Sequence, residues 1–314
     1  MTGSRFRSVI AGILAALTLL FAFATPVAAS TADGIEPRAG GVVGLPPRGV
    51  NTYSLDYVVN TSVNDYKSGA ILMGGVMTNG VARHINGEVY IPMADFVSTY
   101  VRGARVKYDS GTRTVSVSGS GYDISVSDGA YALFAGGRVF FSKTPSRVLS
   151  DGKLYVPAAL IARAFSLEVR VSQWGTAIFE GTPRQPISGE RFYDADAVYW
   201  LARIISAESR GEPLIGQIAV GNVVLNRVRS SAFPNTIWGV IFDRKWGVQF
   251  SPVLDGTIYD TPTASSILAA KIVLDGFTVS DELLYFLHPE ASTSSWIIHN
   301  REFKFVIGRH YFFA

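Results

Sequence analysis

The stretch "DADAVYWLARIISAESRGEPLIGQIAVGNVVLNRVR", residues 194–229, decides how the second half of this chain folds. Its first part carries apolar residues at helical spacing, namely Val198, Leu201, Ile204 and Ile205. Asp194 or Asp196 can cap this helix, and the Gly-Glu-Pro segment at 211–213 ends it. A second periodic segment, at about 215–228, predicts another helix. The sequence therefore predicts two helices joined by a tight turn.

One carboxylate, Glu208, lies in the last turn of the first predicted helix. The helix dipole is negative at this end and raises the pKa of an acid, as do apolar neighbours such as Ile204. A raised pKa suits a general acid that works near neutral pH. A glutamate at a helix end is more often simply solvated. Periodicity alone also does not distinguish an α-helical hydrolase domain from an ordinary helical bundle.

Composition excludes several kinds of chemistry. The chain has 314 residues, enough for about two domains, and its 48% hydrophobic and 17% charged content is typical of a folded protein. It has no cysteine, which excludes disulfides, zinc–cysteine sites and thiol catalysis. Without residues 1–29, the net charge of +3 falls to +1, with 26 basic and 25 acidic residues. We therefore expect no nucleic-acid partner.

The N-terminus predicts export. Arg5 and Arg7 precede an apolar run over 9–24, and Pro-Val-Ala-Ala follows at 26–29. This pattern is typical of a cleaved signal peptide over residues 1–29, because the apolar run is short for a retained membrane anchor. Residues 30–51 are rich in Gly, Pro and Arg and are expected to form a flexible lead. We therefore expect the protein to be secreted and associated with the cell wall.

Two stretches of the first half repeat each other without a gap. "INGEVYIPMADFVSTYVRGARVKYD" starts at Ile85 and "SDGKLYVPAALIARAFSLEVRVSQW" starts at Ser150. At a constant offset of 65 residues, five pairs align: Gly87/Gly152, Tyr90/Tyr155, Pro92/Pro157, Tyr100/Phe165 and Val106/Val171. Each repeat predicts a hairpin turn, a short strand and a helix that begins at proline.

These repeats resemble the copper amine oxidase N-terminal-like domain over about residues 52–180. His84 is the only histidine in this region, so we expect no copper there. A spacer or a wall- or surface-binding module is the expected role. The segment "EGTPRQPISGERF", residues 180–192, is rich in Pro and Gly and predicts a linker over 181–193.

The second half resembles the catalytic domain of spore cortex-lytic enzyme type cell wall hydrolases. The resemblance rests on residues 199–242, on "VQFSPVLDGTIY" at 248–259, on "LLYFLHPEASTSSWI" at 283–297 and on "FVIGRHYFF" at 305–313. This chain has Ser209 where the commoner form of the motif is Ser-Ala-Glu-Ala-Arg-Gly-Glu-Pro. The resemblance implies a lysozyme-like fold that cleaves peptidoglycan between N-acetylmuramic acid and N-acetylglucosamine. The single catalytic glutamate of that family falls on Glu208.

Three functions follow as alternatives: a lytic transglycosylase, a muramidase-type hydrolase that uses water, and a non-catalytic wall-binding protein. A transglycosylase can use one carboxylate, whereas ordinary glycosidases use two. Candidates for a second carboxylate are Glu212, Asp243, Asp255 and Asp260. Asp255-Gly256 predicts a turn, and we expect Glu212 and Asp243 to be solvated. The transglycosylase is the favoured prediction.

Further site predictions concern sugar contacts. We expect substrate-binding roles for Gln249 and Ser251, placed on one side of an extended segment, and for Tyr285, Arg210 and Asn222. Trp296 is expected to fill core rather than to stack on sugar. His288, His299 and His310 do not form a metal-binding spacing, and we expect no metal or cofactor. The predicted fold class is α+β, with a mainly helical catalytic domain at 194–314 after a small α/β repeat module. The sequence leaves the oligomeric state open.

Overall fold

The computed structural model describes residues 67–245, 247–290 and 296–314. The predicted signal peptide (1–29) and lead (30–51) lie outside these residues. Among the described residues, no helix combines the length and the apolar character needed to cross a membrane. The described chain divides into two compact units, 67–192 and 193–314. The α+β class is confirmed, with a strand-rich first unit and a mainly helical second unit.

The first unit is built mostly of short strands. Its elements in chain order are β1 (Lys67–Met73), β2 (Val76–Ile85), β3 (Glu88–Pro92), α1 (Met93–Tyr100), β4 (Arg105–Asp109), β5 (Thr114–Gly119), β6 (Tyr122–Ser127), β7 (Ala132–Ala135), β8 (Arg138–Phe141), β9 (Arg147–Val148), β10 (Leu154–Pro157), α2 (Ala158–Ala164), β11 (Glu168–Val171), β12 (Ala177–Glu180) and α3 (Gly189–Phe192).

Two sheets organise these strands. The larger has the order β11-β12-β1-β2-β3-β10-β9, and the smaller has the order β4-β5-β6-β7-β8. The matching strands of the two sequence repeats, β3 and β10, pair antiparallel with each other, with Tyr155 opposite Pro92 and Pro157 opposite Tyr90. The repeats therefore do not form two separate modules, because their equivalent strands share one sheet.

Local sequence signals explain the start of each repeat. Asn86 and Gly87 connect β2 to β3 with φ angles of 50° and 80°, the left-handed pair that a two-residue hairpin turn requires. In both repeats the strand ends at proline, and the following helix begins at the next residue. Proline therefore stands at the N-cap, one position earlier than predicted, where its missing N–H does no harm.

The core of the first unit joins α1 and α2 to both sheets. The ring of Phe96 in α1 lies 5.7 Å from that of Phe165, which follows α2, and 4.9 Å from that of Phe179 in β12. Tyr122 in β6 packs against Phe165 at 5.5 Å. Aromatic contacts at such tilted geometry are favourable beyond the area they bury.

The predicted linker is packed in part against this unit. The backbone N–H of Arg184 donates to the carbonyl of Phe165 at 3.0 Å, and that of Gly189 donates to Gly136 at 2.7 Å. A side chain at Gly189 would place its Cβ only 2.4 Å from the Gly137 carbonyl oxygen, so this close approach requires glycine. Residues 181–192 thus belong structurally to the first unit.

The second unit is mainly helical. It contains α4 (Ala195–Ser209), α5 (Leu214–Arg229), α6 (Ile237–Ile241), α7 (Pro252–Asp255), a 3₁₀ turn (Thr257–Tyr259), α8 (Ala264–Leu274), β13 (Tyr285–Leu287), α9 (Trp296–Asn300), β14 (Phe303–Ile307) and β15 (His310–Phe313). The strands form one small sheet in the order β13-β15-β14. The predicted helix pair is confirmed as α4 and α5, and Asp194 caps α4 by accepting from the N–H of Ala197 at 2.8 Å.

Helix α5 lies at the centre of this unit. Every residue from Gly216 to Val228 is buried, which is typical of a helix with neighbours on all sides. At Gly221 an added Cβ would lie 2.9 Å from Ile205 of α4 and 3.0 Å from Val273 of α8. Glycine therefore allows three helices to approach closely, and this packing fixes the end of α4, where Glu208 lies.

Candidate active site

Glu208 lies in the last turn of α4, and its side chain is partly buried. The pKa of Glu208 is raised to about 7: burial is the main cause, the negative charge of Asp255 adds to the rise, and the positive charge of Arg227 opposes both. A carboxyl group with this pKa is partly protonated at neutral pH. It can therefore donate a proton and take one back under the same conditions.

The positive charge that lowers the pKa of Glu208 comes from Arg227 on α5. It is only 5% exposed, and burial lowers its pKa to about 10. Its Cζ lies 5.0, 5.2 and 5.4 Å from the ring centroids of Phe233, Phe250 and Tyr285. Its Nε donates to the carbonyl of Leu284 at 2.7 Å, while Nη1 is buried without a hydrogen-bond partner in the described part of the chain. Three rings and one hydrogen bond thus fix a charged guanidinium near Glu208.

The prediction that Asn222 binds sugar is wrong. Asn222 is 3% exposed, its Nδ2 donates to the Phe277 carbonyl at 2.9 Å, and its Oδ1 accepts from the N–H of Val279 at 2.8 Å. One turn later, Nδ2 of Asn226 donates to the carbonyls of Ser280 and Leu283. With Arg227, these amides attach the segment before β13 to α5, so their function is structural.

The expectation that Glu212 is solvated is also wrong. Its side chain is 3% exposed, and its two carboxylate oxygens accept from the backbone N–H of Arg309 at 3.0 Å and from Nε of Arg309 at 3.1 Å. Burial alone would raise the pKa of Glu212, but these hydrogen bonds and the nearby positive charges hold it below its usual value. Glu212 therefore connects the turn after α4 to the β14–β15 hairpin and is not available for catalysis.

The other three carboxylates lie nearer the surface. Asp255 forms the predicted turn: its Oδ1 accepts from the N–H and the hydroxyl of Thr257, which lowers its pKa. Asp243 is partly exposed and accepts from the N–H of Lys245 at 2.9 Å. Asp260 is exposed. Among these three, Asp255 is the one whose charge acts on Glu208.

The predicted pair Gln249 and Ser251 has a different geometry from the one expected. Ser251 has φ −56° and ψ −34° and is the N-cap of the short helix α7, so the segment is not extended there. Phe250 is buried between them, while Ser251 is exposed and Gln249 partly exposed. The Nε2 of Gln249 donates to the carbonyl of Gly247 at 3.1 Å. Both side chains remain accessible, and their role in sugar binding stays a prediction.

The remaining aromatic and charged residues of the predicted site differ in how exposed they are. Arg210 is the exposed C-cap residue of α4. Tyr285 is partly buried on β13, with the guanidinium carbons of Arg301 and Arg227 4.6 and 5.4 Å from its ring centroid. The prediction that Trp296 fills core is wrong, because Trp296 is 51% exposed. It lies on α9, with Arg301 4.7 Å from its ring.

An aromatic surface near α4 was missed by the sequence analysis. Trp200 contacts Phe242 edge-on at 5.2 Å and Tyr259 at 6.4 Å, and Trp238 stacks on Phe242 at 5.0 Å. Tyr199 also contacts Trp200, at 4.9 Å. Tyr199, Trp238 and Tyr259 are exposed. The adjacent Tyr199-Trp200 pair was the available signal, but the other rings come from two distant segments, 238–242 and 257–259.

The histidines lie in the second unit, apart from His84. His310 is buried, and burial lowers its pKa; its ring lies 6.0 Å from that of His288. Within the described ranges, no three His, Asp or Glu side chains are grouped closely enough to hold a metal ion. The expectation that no cofactor takes part stays a prediction.

These features define a candidate general-acid centre in a mainly helical domain that follows a strand-rich repeat unit. Each of the two units matches a known protein family. Residues 211–313 match the cell wall hydrolase family, and residues 75–178 match the copper amine oxidase N-terminal domain. The chain is 32% identical over 103 residues to the cell wall hydrolase CwlJ of Oceanobacillus iheyensis, covering 31% of this chain and 72% of that protein. The chain belongs to the cell wall hydrolase family.

Other relatives share the second unit. The chain is 40% identical over 120 residues to a spore cortex-lytic enzyme of Bacillus cereus, covering 38% of this chain and 45% of that protein. It thus spans less than half of this relative. A solved structure, the catalytic domain of the germination-specific lytic transglycosylase SleB from Bacillus anthracis, is 39% identical, with a TM-score of 0.35. The match covers 39% of this chain and 97% of the chain in that structure.

Proposed function

We propose that this protein is a lytic transglycosylase. It cleaves the bond between N-acetylmuramic acid and N-acetylglucosamine in peptidoglycan and acts in remodelling of the cell wall or spore cortex. The observation that carries the proposal is Glu208, a partly buried acid with a pKa of about 7 at the end of α4. Membership in the cell wall hydrolase family supports the substrate class.

Glu208 acts twice in the proposed reaction. Its protonated carboxyl first donates to the oxygen that links the two sugars, and the bond from the anomeric carbon of N-acetylmuramic acid to that oxygen breaks. The resulting carboxylate then accepts the proton of the C6 hydroxyl of the same muramic acid, whose oxygen bonds to the anomeric carbon. Glu208 ends protonated, and an internal acetal, the 1,6-anhydro bond, replaces the glycosidic bond without consumption of water.

The surroundings of Glu208 fit a single-acid mechanism. Glu212 is engaged by Arg309, and Asp255 by its own turn. Because the attacking hydroxyl belongs to the substrate, no second carboxylate has to activate water. The fixed charge of Arg227 limits the rise in the pKa of Glu208, so the ionised form stays accessible after proton donation.

Hydrolysis is the second candidate, and one observation favours it. Asp255 has a lowered pKa, and its charge acts on Glu208. A pair of acids whose pKa values are driven apart is the arrangement that two-carboxylate glycosidases use. In that case Asp255 would act as the base or nucleophile, and water would complete the reaction.

The test of Glu208 uses a matched pair of substitutions. Glu208→Gln keeps the shape of the side chain but removes the carboxyl group that donates and accepts the proton. We expect activity on purified sacculi to fall by about 10²–10⁴-fold. Glu290→Gln makes the same change at an exposed site in the same unit and should leave activity unchanged. A Glu208→Gln protein that retained more than half of wild-type lysis would overturn the assignment. Such a result would leave a wall-binding role for the unit.

Product mass distinguishes the two chemistries. Transglycosylation yields products that are one water lighter than hydrolytic products and have no free reducing end. We expect these products when fragments of purified sacculi are treated with the protein in excess chelator and analysed by mass spectrometry. Free reducing N-acetylmuramic acid would establish hydrolysis, and loss of activity that a divalent ion restores would reveal a metal requirement.

The proposed substrate also gives the location. Peptidoglycan lies outside the cytoplasm, so we propose that the protein is exported and associated with the cell wall, in agreement with the signal sequence predicted over 1–29. The first unit is proposed to hold the enzyme at the wall or cell surface.

A further inference from the structure

Two histidines lie opposite each other at one end of the small sheet in the second unit. Strands β13 and β15 pair antiparallel with Leu287 opposite Tyr311, and the same register continues to His288 and His310. The centres of the two imidazole rings are 6.0 Å apart, and their planes are nearly perpendicular, at 88°. Strand pairing brings these side chains together, so the spacing of the histidines in the sequence does not reveal the pair.

One nitrogen of each ring has an unmet need for a partner. Nδ1 of His288 and Nδ1 of His310 are both buried, and neither has a hydrogen-bond partner among the described residues. His310 is 5% exposed, and the rings of Phe286 and Phe312 lie 5.4 and 6.3 Å from its own. A buried polar atom without a partner costs free energy, and in a native protein it often marks a bound water or ion. One ligand that contacts both rings would satisfy both nitrogens.

The chemistry and spacing of the pair suit a metal ion. Burial lowers the pKa of His310, so its ring is neutral near pH 7 and keeps a lone pair for coordination. Neutral imidazole is a favourable ligand for zinc, copper and nickel. An ion bound at about 2.1 Å to one nitrogen of each ring places the ring centres roughly 5–6.5 Å apart. The observed 6.0 Å falls within that range.

A carboxylate near the pair can balance the charge of an ion. The negative charge of Glu212 acts on His310, and the positive charge of Arg309 acts in the opposite direction. Both carboxylate oxygens of Glu212 accept hydrogen bonds from Arg309. Glu212 is therefore placed as an outer partner rather than as a direct ligand, and such outer carboxylates strengthen metal binding.

We propose that His288 and His310 form a binding site for one divalent transition-metal ion, such as zinc, with water completing its coordination. The ion connects β13 to β15 and stabilises the small sheet. The part of the chain that the structure describes offers no cluster of three ligands, so binding is weaker than at a structural zinc site with four protein ligands. The site is separate from the proposed chemistry at Glu208, and a chelator that removes the ion should leave lysis of sacculi intact.

The test uses the full-length chain without a histidine tag and zinc as the probe. Isothermal titration calorimetry should detect one zinc ion per chain. At a zinc concentration about ten times the dissociation constant, the unfolding temperature of the second unit should rise by roughly 5 °C. Addition of excess chelator should reverse this rise. If zinc neither binds nor raises the unfolding temperature, the proposal is overturned, and a bridging water then satisfies the two nitrogens.

Matched substitutions locate the site. His288→Gln removes one ligand and should weaken zinc binding by roughly tenfold or more, since even changes to outer partners of a metal cost about 10–100-fold in affinity. His299→Gln removes an exposed histidine of α9 and should have little effect. His310→Gln should act like His288→Gln, with its fold verified by circular dichroism because His310 is buried. If His310→Gln does not fold, His288→Gln decides the question. Equal losses in His288→Gln and His299→Gln would place the zinc elsewhere and overturn the proposal.

Discussion

Glu208 and Arg227 lie on consecutive helices of the second unit, and their charges are coupled. Burial raises the pKa of Glu208 to about 7, and the positive charge of Arg227 keeps it from rising further. Arg227 is in turn fixed by three aromatic rings and the carbonyl of Leu284. The acid and the cation that adjusts it are thus both held by the packing around α5.

This coupling predicts a specific pH profile. The proposed mechanism needs protonated Glu208 at the start, so kcat should fall as pH rises through about 7. Arg227→Gln removes a charge that lowers the pKa, so the acid should stay protonated to higher pH and the falling limb should move upward. Arg227→Lys retains the charge and should move it less. If the falling limb of the pH profile stays in place in Arg227→Gln protein whose fold is verified by circular dichroism, the charge of Arg227 does not set the pKa of Glu208.

Glu208 should also destabilise the fold at alkaline pH. Its folded-state pKa of about 7 exceeds the ordinary 4.5, so the folded protein binds more protons between these values and loses stability as pH rises through that window. Glu208→Gln removes the buried charge and should raise the unfolding temperature at pH 8 by roughly 5 °C. At pH 5 the difference should largely vanish. If the Glu208→Gln protein is less stable than wild type at pH 8, ionised Glu208 does not destabilise the folded state.

The Glu212–Arg309 connection predicts a sensitive glycine. Gly308 has φ +58°, and an added Cβ would lie 1.8 Å from Oε2 of Glu212 and 3.2 Å from Pro213. Gly308→Ala should therefore destabilise the second unit by roughly 1–3 kcal/mol. Gly256→Ala is the matched control, because Gly256 has φ +84° but open space around its Cβ position. Equal losses in denaturant unfolding would show that backbone strain alone matters.

The exposed aromatic side chains near α4 are expected to bind sugar rings. Trp238→Ala and Tyr259→Ala should each raise KM on glycan fragments several-fold, with kcat changed much less, because the rings are accessible and carry no group that can transfer the proton in the proposed reaction. Trp174→Ala removes a ring that is 83% exposed in the first unit and should leave KM unchanged. A fall in kcat alone would argue against a binding role.

The boundary at Phe192 and Tyr193 gives a truncation test. The ring of Phe192 contacts Arg138, and the hydroxyl of Tyr193 donates to Asp275, so each residue is bonded within its own unit. Residues 193–314 should fold alone, cleave soluble glycan and bind whole sacculi less well than the full chain. Aggregation of this fragment, or unchanged binding to sacculi, would count against separate roles for the units.

Sequence reasoning worked where the signals are local. The Asn86-Gly87 turn, the Asp194 cap and the Asp255-Gly256 turn each depend on a few neighbouring residues. It failed where burial depends on distant segments. Glu212 resembles any solvated turn glutamate until Arg309, 97 residues later, binds it, and Asn222 is occupied by a segment 55 residues away. Arg227 was not recognised at all, because its aromatic surroundings come from three separate parts of the chain.

The parallel pairing of β1 with β12 has a mechanical consequence. These strands are the first and last described strands of the first unit, and Ile71, Leu72 and Met73 align with Ala177, Ile178 and Phe179. A force that pulls the start of β1 away from the end of β12 acts along both strands in opposite directions. It would load the hydrogen bonds between them together, in shear, instead of opening them one by one. This pairing therefore lets the first unit bear tension applied between the start of β1 and the end of β12.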